Sequence, residues 1–256
     1  MPISQVCAIV LAAGKSKRFI SNNQSKLLTK LCGKELILYP LDLLESLKIK
    51  KTFVLGASRH EICSVLSDHA KQTAAFVYQE EQRGTGHALA CSRDHWSRSH
   101  ILVLNGDMPL VTPDLIEKLI NQNASSQADL SFVVFKASDP GTYGRVITDQ
   151  ISGKTKIVEY KDCSEEEKQV NLVNAGIYLF KKEFLEKYID ALSDKNESRE
   201  FYLTDLVLLA SDNGFKVDTL IAEESLVLGV NTVQDFIKIE AIMQEKTDLR
   251  LIEICS

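Results

Sequence analysis

Short apolar runs alternate with longer segments of helical periodicity in the first half of the chain. Such uniformly apolar runs are typical of strands buried on both faces of a sheet, and they span residues 6–11, 52–56, 75–79 and 100–107. The intervening segments predict helices over residues 36–48, 59–70, 85–97 and 112–122. The last of these opens on Thr112 and Pro113, an N-cap residue followed by proline at the first helical position. Alternating strands and helices predict right-handed crossovers and a mostly parallel central sheet with helices on both faces.

The pattern changes after about residue 128, where strands follow one another with fewer helices between them. These strands are predicted over residues 129–137, 144–149, 156–162 and 174–180. Helical patterns return over 181–192 and 203–213, and a final helix is predicted to begin behind a Thr232 cap. We therefore expect an α/β fold with a smaller mixed-strand region. It would form one domain over residues 1–256, with halves of about 1–127 and 128–230 and a C-terminal helix and tail over 231–256.

Composition narrows the function classes. Lys and Arg number 30 against 35 Asp and Glu, so the formal net charge is −5, and no long basic block is present. A nucleic-acid surface needs clustered cations, so we expect no nucleic-acid partner. No apolar run approaches the roughly 18 residues of a membrane helix, so no membrane association is expected either. The six cysteines are spread along the chain with no C-x-x-C pair, which favours a reducing compartment and a cytoplasmic protein.

The first candidate site follows the first predicted strand, where Leu11-Ala12-Ala13-Gly14 runs into a basic segment. Small side chains let backbone N–H groups approach an anion, and Arg18 or Lys26 could add charge-assisted bonds to a phosphate. Ligands of open α/β sheets bind at the carboxyl ends of strands, which is where this loop lies. A tight turn with solvated lysines remains the structural alternative.

Two familiar phosphate motifs do not fit this loop. A P-loop needs a glycine five residues before Gly14, and Ile9 stands there inside a predicted strand. The dinucleotide-binding fingerprint needs two further glycines, and Ser16 and Phe19 hold those positions. A phosphate site here would therefore be of another kind.

The second candidate follows the strand at 75–79. Gln79 offers an amide able to pair with the polar edge of a nucleobase, and Gly84 would let a base lie against the backbone. A plain strand-to-helix connection with Thr85 as the N-cap explains the same residues equally well. For the neighbouring His87, a core or capping role is favoured over catalysis.

The third candidate is Gly106-Asp107, where an apolar strand ends in a single carboxylate. Mg²⁺ prefers oxygen ligands and commonly takes one or two from the protein, with substrate phosphates supplying others. Asp107 suits that arrangement, although it could equally be a turn residue.

Four further polar or glycine positions beside apolar strands are weak signals individually: Gly144, Glu159, Asn174 and Asn231. Glu159 has a solvated strand face as its alternative, and Asn231 has a turn or cap ahead of the last helix.

Taken in order, seven motifs resemble those of the sugar-phosphate nucleotidyltransferases, and within them the N-acetylglucosamine-1-phosphate uridylyltransferases: QEEQRGTGHA, NGDMPL, YGR, IVEYKD, NAGIY, YLTD and GVN. The resemblance spans about residues 6–245. It implies a Rossmann-like fold with a nucleotide-binding first half and a sugar-binding second half. The implied reaction is attack of a sugar-1-phosphate oxygen on the α-phosphorus of UTP, giving UDP-N-acetylglucosamine and pyrophosphate. Such a product would be a precursor of cell-envelope glycans such as peptidoglycan.

The resemblance also implies roles for individual residues. The loop Leu11 to Gly14 would hold nucleotide, and the catalytic cations Arg18 and Lys26 would face its phosphates. Uridine would be recognised by Gln79, Gly84 and Thr85, with Gly106 and Asp107 beside the ribose and phosphates. The N-acetylated sugar would be held by Gly144, Glu159, Asn174 and Asn231. Mg²⁺ would be coordinated by Asp107 and Asn231. Catalysis of this kind rests on positioning and charge neutralisation. This accounts for the lack of a convincing catalytic nucleophile with a neighbouring general base in the sequence.

The first loop departs from the family pattern. The family usually reads G-x-G-x-R-M, with a proline before the lysine, whereas this chain has Ser16 and Phe19 in the loop and Ser25 before Lys26. One extra residue also separates the loop from the lysine. Serine has less backbone freedom than glycine, and without proline the lysine's approach is less rigid. Phosphate affinity and nucleotide choice are therefore open to change.

A second departure is length. Many family members continue into a left-handed β-helix of hexapeptide repeats that acetylates glucosamine-1-phosphate, and this sequence ends soon after its last predicted helix. We therefore expect no acetyltransferase activity, and a monomer or weak dimer in place of the trimer built by that β-helix. The alternatives to the uridylyltransferase are a sister enzyme with another sugar phosphate or nucleotide, and a catalytically silent regulatory relative.

Overall fold

The structure is a computed structural model that describes residues 1–14, 25–70 and 74–255, with side chains as far as residue 245. Its strands are β1 (Val6–Ala12), β2 (Lys30–Leu31), β3 (Lys34–Glu35), β4 (Lys50–Leu55), β5 (Ala75–Tyr78), β6 (His100–Asn105), β7 (Leu130–Lys136), β8 (Arg145–Thr148), β9 (Thr155–Val158), β10 (Leu172–Lys181) and β11 (Val217–Ala222). The helices are α1 (Leu38–Ser46), α2 (Arg59–His69), α3 (Thr85–Cys91), α4 (Pro113–Ser126), α5 (Glu165–Lys168), α6 (Lys182–Tyr188), α7 (Asp205–Asp212), α8 (Glu224–Val227) and α9 (Val233–Cys255). None of the helices in these described segments is both long and apolar enough to cross a membrane.

One mixed sheet runs through the molecule in the order β11-β7-β10-β6-β1-β4-β5. Strands β6, β1, β4 and β5 are mutually parallel. Strand β10 runs antiparallel to both β6 and β7, and β11 lies parallel to β7 at the edge. Strand β8 pairs with the N-terminal part of β10, where Arg145 lies opposite Val173, and β9 pairs with β8. The predicted α/β fold, mostly parallel in its first half and mixed in its second, is confirmed.

Side chains alternate along the buried strands and so feed two apolar layers, one on each face. In β1, Val6, Ala8 and Val10 join the layer covered by α1, α2, α4 and α9. Cys7 and Ile9 point the other way, into the layer covered by α3, α6 and α7. Burial on both faces explains why these strands have nearly continuous apolar sequences.

Two helix starts follow the predicted chemistry. The Thr112 hydroxyl accepts a hydrogen bond from the backbone N–H of Leu115, and Pro113 is the first residue of α4. The Thr232 hydroxyl accepts from the N–H of Asp235, whose own carboxylate accepts from the N–H of Thr232. This reciprocal arrangement fixes the start of α9 beside the loop that carries Asn231.

Several predicted boundaries were wrong. The strand predicted over 156–162 ends at Val158, and the chain then makes a 3₁₀ turn over Tyr160–Asp162. The helix predicted over 85–97 ends at Cys91 and gives way to a separate 3₁₀ turn. Strand β11 and the small β2–β3 hairpin were not predicted. Strand β11 is partly exposed along most of its length, so it lacks the apolar run that marked the other strands.

Candidate active site

The carboxyl ends of the parallel strands open onto a cavity of about 510 Å³. Because β1, β5 and β6 are parallel, the segments that follow them meet at one edge of the sheet. The cavity is lined by all the residues assigned to nucleotide or metal in the described part of the chain: Leu11, Ala12, Ala13, Gly14, Lys26, Gln79, Gly84, Thr85, Gly106, Asp107 and Asn231. Arg18 lies outside the described residues.

The first loop and the end of β6 are packed tightly together. The N–H of Gly106 donates to the carbonyl of Leu11 at 2.9 Å. A Cβ at position 106 would lie 3.0 Å from Ile37 Cδ1 and 3.3 Å from Ala12 Cβ, so little room is left for a side chain. The absence of a side chain at Gly106 therefore lets the β6 turn lie directly against the loop after β1.

Lys26 sits at the floor of the cavity. Its Nζ lies 2.5 Å from Asp107 Oδ2 and 2.5 Å from the carbonyl oxygen of Val230. The two side chains are largely buried, with exposed fractions of 14% and 16%, so the pair is only weakly screened by solvent. The lysine thereby joins the segment after β1, the end of β6 and the loop before α9.

The other carboxylate oxygen of Asp107, Oδ1, lies near Gly229, as does the Asn231 side chain. A Cβ built on Gly229 would lie 3.6 Å from Asp107 Oδ1 and 3.7 Å from Asn231 Nδ2, so these two polar groups border the space left by that glycine. The Asn231 side chain has no hydrogen-bond partner among the described residues. One carboxylate and one amide fit Mg²⁺ when phosphates and waters complete the coordination. No group of three or more His, Cys, Asp or Glu side chains forms an all-protein metal cage in the described segments.

The opposite end of the cavity is built by the turn before α3. Gly84 has φ +106°, and a Cβ there would lie 2.6 Å from the carbonyl oxygen of Phe201. The Phe201 N–H donates to the carbonyl of Arg83, and the Gly86 N–H donates to the carbonyl of Phe201. These bonds bring residues from the second half of the chain against the turn. Only glycine is compatible with both the backbone angle and this approach.

Thr85 does not cap α3, contrary to the structural alternative considered for it. Gly84 occupies the N-cap position and Thr85 is the first helical residue. The Thr85 hydroxyl instead accepts a hydrogen bond from the backbone N–H of Leu203 at 3.0 Å. It therefore ties the start of α3 to the segment before α7.

Gln79, after β5, is almost fully buried at 5% exposure. Its Nε2 donates to the carbonyl of Gly84 at 3.0 Å and lies 2.9 Å from His87 Nδ1. The amide is held from two sides at the cavity wall.

Of the four residues assigned to the sugar, Asn231 lines the cavity, and the other three form a separate group beyond β6. The Asn174 N–H donates to the carbonyl of Gly144 at 2.9 Å, and the Asn174 Nδ2 donates to the Tyr178 hydroxyl at 2.6 Å. A Cβ on Gly144 would lie 3.5 Å from Glu159 Oε1, so Gly144, Glu159 and Asn174 are neighbours. They do not belong to the nucleotide-side cavity wall.

Glu159 is not on a solvated strand face, which corrects that alternative. It follows the end of β9, and its Oε1 accepts from the Thr204 hydroxyl at 3.0 Å. Burial raises the pKa of Glu159, and the nearby Asp205 and Asp162 charges raise it further. The pKa of Asp205 is raised to about 6, chiefly by burial and then by the charge of Asp162. Glu159 and Asp205 are thus two neighbouring carboxyls whose burial favours the protonated form.

The cavity wall also contains residues that sequence reasoning missed: Leu27, Gln82, Ala88, Asn105, Lys161 and Glu200. Gln82 Nε2 donates to the carbonyl of Ala13 and so holds the first loop against the segment after β5. Lys161 Nζ donates to the Ser198 hydroxyl at 3.1 Å. The QEEQRGTGHA motif contains Gln82, NGDMPL contains Asn105 and IVEYKD contains Lys161, so the same motifs could have identified these residues. Glu200 lies outside the motifs and reaches the cavity only through the fold.

Asn105, at the end of β6, lies where the parallel strands meet the antiparallel strand β10. Strand β10 has a register shift between Asn174 and Tyr178, and within it Gly176 adopts φ +77°. A Cβ on Gly176 would lie 2.6 Å from Asn105 Nδ2. The bulge therefore makes room for the Asn105 amide at the boundary between the nucleotide side and the sugar side.

Comparison with known proteins places this geometry in a family. A family model described as the MobA-like NTP transferase domain matches residues 8–200, a span that includes the first loop, the turn before α3 and the end of β6. The chain belongs to the MobA-like NTP transferases. It is thus a nucleotidyltransferase by family, as the motif resemblance implied.

Curated relatives of this NTP transferase carry the name bifunctional protein GlmU. The protein from Clostridium botulinum (strain 657 / Type Ba4) is 33% identical over 244 residues, covering 94% of this chain and 52% of the relative. The protein from Sulfurimonas denitrificans is 34% identical over 250 residues, covering 98% of this chain and 56% of the relative. The chain thus spans about half the length of the curated relatives it matches.

Solved structures share the fold of this NTP transferase at lower identity. The inositol-1-phosphate CTP transferase from T. maritima superimposes with a TM-score of 0.74 at 20% identity, covering 94% of this chain and 96% of that one. A UDP-glucose pyrophosphorylase complexed with UDP-glucose gives a TM-score of 0.74 at 15% identity, covering 95% and 99%. These likenesses confirm the Rossmann-like nucleotidyltransferase architecture.

Proposed function

We propose that this NTP transferase makes UDP-N-acetylglucosamine and pyrophosphate from UTP and N-acetylglucosamine-1-phosphate, with Mg²⁺. The observation that carries the proposal is a single cavity with a buried Lys26–Asp107 pair at one end and the Gln79–Gly84 corner at the other. The first suits phosphates and a cation, and the second suits a base. The likeness to relatives named bifunctional protein GlmU supports the substrate pair that the motif resemblance implies.

The nucleotide would lie with its base against Gln79, Gly84 and Thr85, which line one part of the cavity. Its phosphates would lie across Leu11 to Gly14, near Lys26. The ribose would fall between, beside the turn at Gly106 and Asp107.

The sugar phosphate would enter from the second half of the chain, over residues 128–230, where Gly144, Glu159 and Asn174 are neighbours. Glu159, held by Thr204, would accept a sugar hydroxyl or amide proton. Asn105, which lines the cavity beside Gly176, would hold the acceptor phosphate towards the nucleotide.

In the reaction, an oxygen of the sugar-1-phosphate forms a bond to the α-phosphorus. The bond from that phosphorus to the oxygen bridging to the β-phosphate breaks, and pyrophosphate departs with the electron pair. Lys26 would neutralise charge developing on the phosphates, and Arg18 would serve the same purpose from the first loop. Asp107 Oδ1 and Asn231 would hold Mg²⁺, which supplies charge neutralisation and alignment of phosphate oxygens.

The test is pyrophosphate release from purified protein with UTP, N-acetylglucosamine-1-phosphate and Mg²⁺. Parallel reactions replace the sugar phosphate by glucose-1-phosphate or inositol-1-phosphate, or UTP by CTP, GTP or dTTP, and one contains EDTA. EDTA-sensitive release with only UTP and the acetylated sugar is the expected result. Release with another pair would keep the mechanism and change the substrate. Nucleotide binding without release from any pair would instead indicate a silent regulatory relative.

We further propose that the product supplies cell-envelope glycan synthesis, including peptidoglycan, from the cytoplasm.

A monomer or weak dimer is the proposed assembly, to be measured by light scattering of the purified chain. A trimer in that measurement would contradict it.

A further inference from the structure

His87 contacts the base-binding corner without belonging to the cavity wall. It lies in the first turn of α3, between the cavity-lining Thr85 and Ala88, and is itself absent from the described lining. Its ring is half-buried, with Nδ1 2.9 Å from Gln79 Nε2 and Nε2 3.8 Å from Cys91 Sγ. The imidazole therefore stands directly behind Gln79.

The bond to Gly84 fixes which end of the Gln79 amide faces inward. A backbone carbonyl oxygen can only accept, so the amide atom 3.0 Å from the Gly84 oxygen must be the nitrogen. The same nitrogen is the one that approaches His87. Both of its hydrogens are thus directed into the protein, one to Gly84 and one to His87.

This polarity in turn fixes the tautomer of His87. Gln79 Nε2 is a donor, so His87 Nδ1 must accept and cannot carry a proton. In the neutral ring the proton then sits on Nε2, where Cys91 Sγ is the neighbouring acceptor. A chain of consistent donors and acceptors runs from Cys91 through His87 to Gln79 and Gly84.

The other polar atom of the Gln79 amide, Oε1, has no hydrogen-bond partner within the described segments. We propose that His87 is a positioning residue: it holds Gln79 with Oε1 towards the cavity, and so makes the site prefer a pyrimidine whose N3 carries a proton. This inference rests on the proposed function and extends it to the choice of base. Uracil presents N3–H to an acceptor, whereas cytosine presents an N3 lone pair.

The reversed amide would be unfavourable at both inner contacts. It would place Oε1 against the Gly84 carbonyl oxygen, where no hydrogen bond can form, and His87 could donate to Oε1 only by moving its proton from Nε2 to Nδ1 and so giving up its contact with Cys91. Buried polar atoms of like polarity that face one another lose their hydrogen bonds as well as repelling. Gly84 and His87 together therefore keep the donor end away from the base, and His87 supplies the part that a side-chain substitution can remove.

The test compares dissociation constants for UTP and CTP, measured by calorimetry on the full chain with Mg²⁺. Wild type is expected to favour UTP. His87→Leu removes the acceptor at Nδ1 and should lower the UTP-over-CTP preference roughly tenfold, the effect of one lost hydrogen bond. His87→Asn offers Oδ1 in the place of Nδ1 and should keep most of the preference. Cys91→Ser retains an acceptor beside Nε2 and is the matched control on the same helix.

A merely structural role for His87 would weaken both nucleotides equally, and that result, or an unchanged ratio in His87→Leu, would overturn the inference. Equal affinity of the wild type for UTP and CTP would overturn it while leaving the nucleotidyltransferase proposal intact. Failure of the wild type to bind either nucleotide would overturn the proposed function and this inference together.

A second measurement needs no variant. Nitrogen-15 NMR of the wild-type imidazole should show the proton on Nε2 of His87 at a pH where the ring is neutral. A proton on Nδ1 would contradict the donor–acceptor chain, whatever the variants do.

Discussion

Lys26 Nζ and Asp107 Oδ2 lie 2.5 Å apart although 81 residues separate them in the chain. The lysine belongs to the segment after β1, and the aspartate ends the turn after β6. Their contact leaves Asp107 Oδ1 directed to the space beside Gly229 and Asn231. One carboxylate thus serves two neighbours, with one oxygen on a cation of the protein and the other available to a metal.

Asp107→Asn should abolish most of the activity while leaving the fold intact. The amide keeps the shape but loses the charge that pairs with Lys26 and would hold Mg²⁺, so we expect a fall in kcat of at least about 100-fold. Pyrophosphate release and thermal unfolding measure the two effects. Asp190→Asn, which removes an exposed partner of Arg93, is the matched control and should retain activity. A near-wild-type kcat in Asp107→Asn would contradict the assigned role.

Gly176→Ala and Gly33→Ala separate backbone strain from displacement of Asn105. The two glycines have φ of +77° and +81°, so alanine should cost each variant about 1 kcal/mol of unfolding free energy. Only at position 176 does the added Cβ meet Asn105, at 2.6 Å from Nδ2. We therefore expect similar stabilities, but a KM for sugar phosphate raised roughly tenfold in Gly176→Ala alone. Urea unfolding compares the stabilities of the two variants. If their stabilities match and their KM values for sugar phosphate are equal, Asn105 has no role in binding the sugar phosphate.

Asp205→Asn should stabilise the protein at neutral pH. The folded pKa of Asp205, about 6, lies above its ordinary value of 3.8, so the native state binds more protons between these values. Stability from this group is present below about pH 4 and is lost as the pH rises through 6. After allowance for solvent screening of a half-exposed group, the variant should gain about 1 kcal/mol at pH 8.

The measurement is Tm at pH 4 and pH 8, with a gain of roughly 2 °C expected only at the higher pH. Asp194→Asn, at an exposed loop position, is the control and should show no such difference. A gain of equal size at pH 4 would point to a cause other than the ionisation of Asp205.

Lys51 and Glu45 form a buried ion pair at 3.2 Å, with side-chain exposures of 1% and 9%. Lys51→Met would leave the glutamate buried without its cation and should cost about 3–5 kcal/mol in urea unfolding. Lys34→Met breaks the more exposed Lys34–Asp42 pair and should cost less than about 1 kcal/mol. Adding Glu45→Leu to Lys51→Met should recover much of the loss, because both charges are then gone. Equal costs for the two lysine variants would refute the burial argument.

The sequence predicted those parts of the fold that burial on both faces imposes. Strands β1, β4, β5 and β6 were marked by apolar runs, and α4 and α9 by threonine caps, and all were confirmed. Strand β11 was missed because an edge strand with exposed positions needs no such run. The direction of β10 was also beyond prediction, since strand order depends on long-range pairing.

The candidate site divides in the same way. Residues within one motif, such as Gln79 and Gly84, could be grouped from their spacing, and the family that they indicated was confirmed. Asn105 and Lys161 also lie in motifs, but their place in the same cavity depends on the fold, as does that of Glu200, which lies in none of the motifs. The functional roles of the individual residues stay predictions until the variants are measured.

The pairing of Phe201 with Arg83 and Gly86 has a consequence for protein engineering. The corner proposed to bind the base is partly formed by backbone atoms of Phe201, which belongs to the half proposed to hold the sugar. The Arg83 guanidinium also lies over the Phe201 ring, 4.7 Å from its centroid. The preference for the base and the preference for the sugar therefore cannot be changed independently by exchanging one half of the chain. A chimera that exchanges residues 128–230 between relatives would also replace one wall of the base pocket, and would have to be selected for both preferences at once.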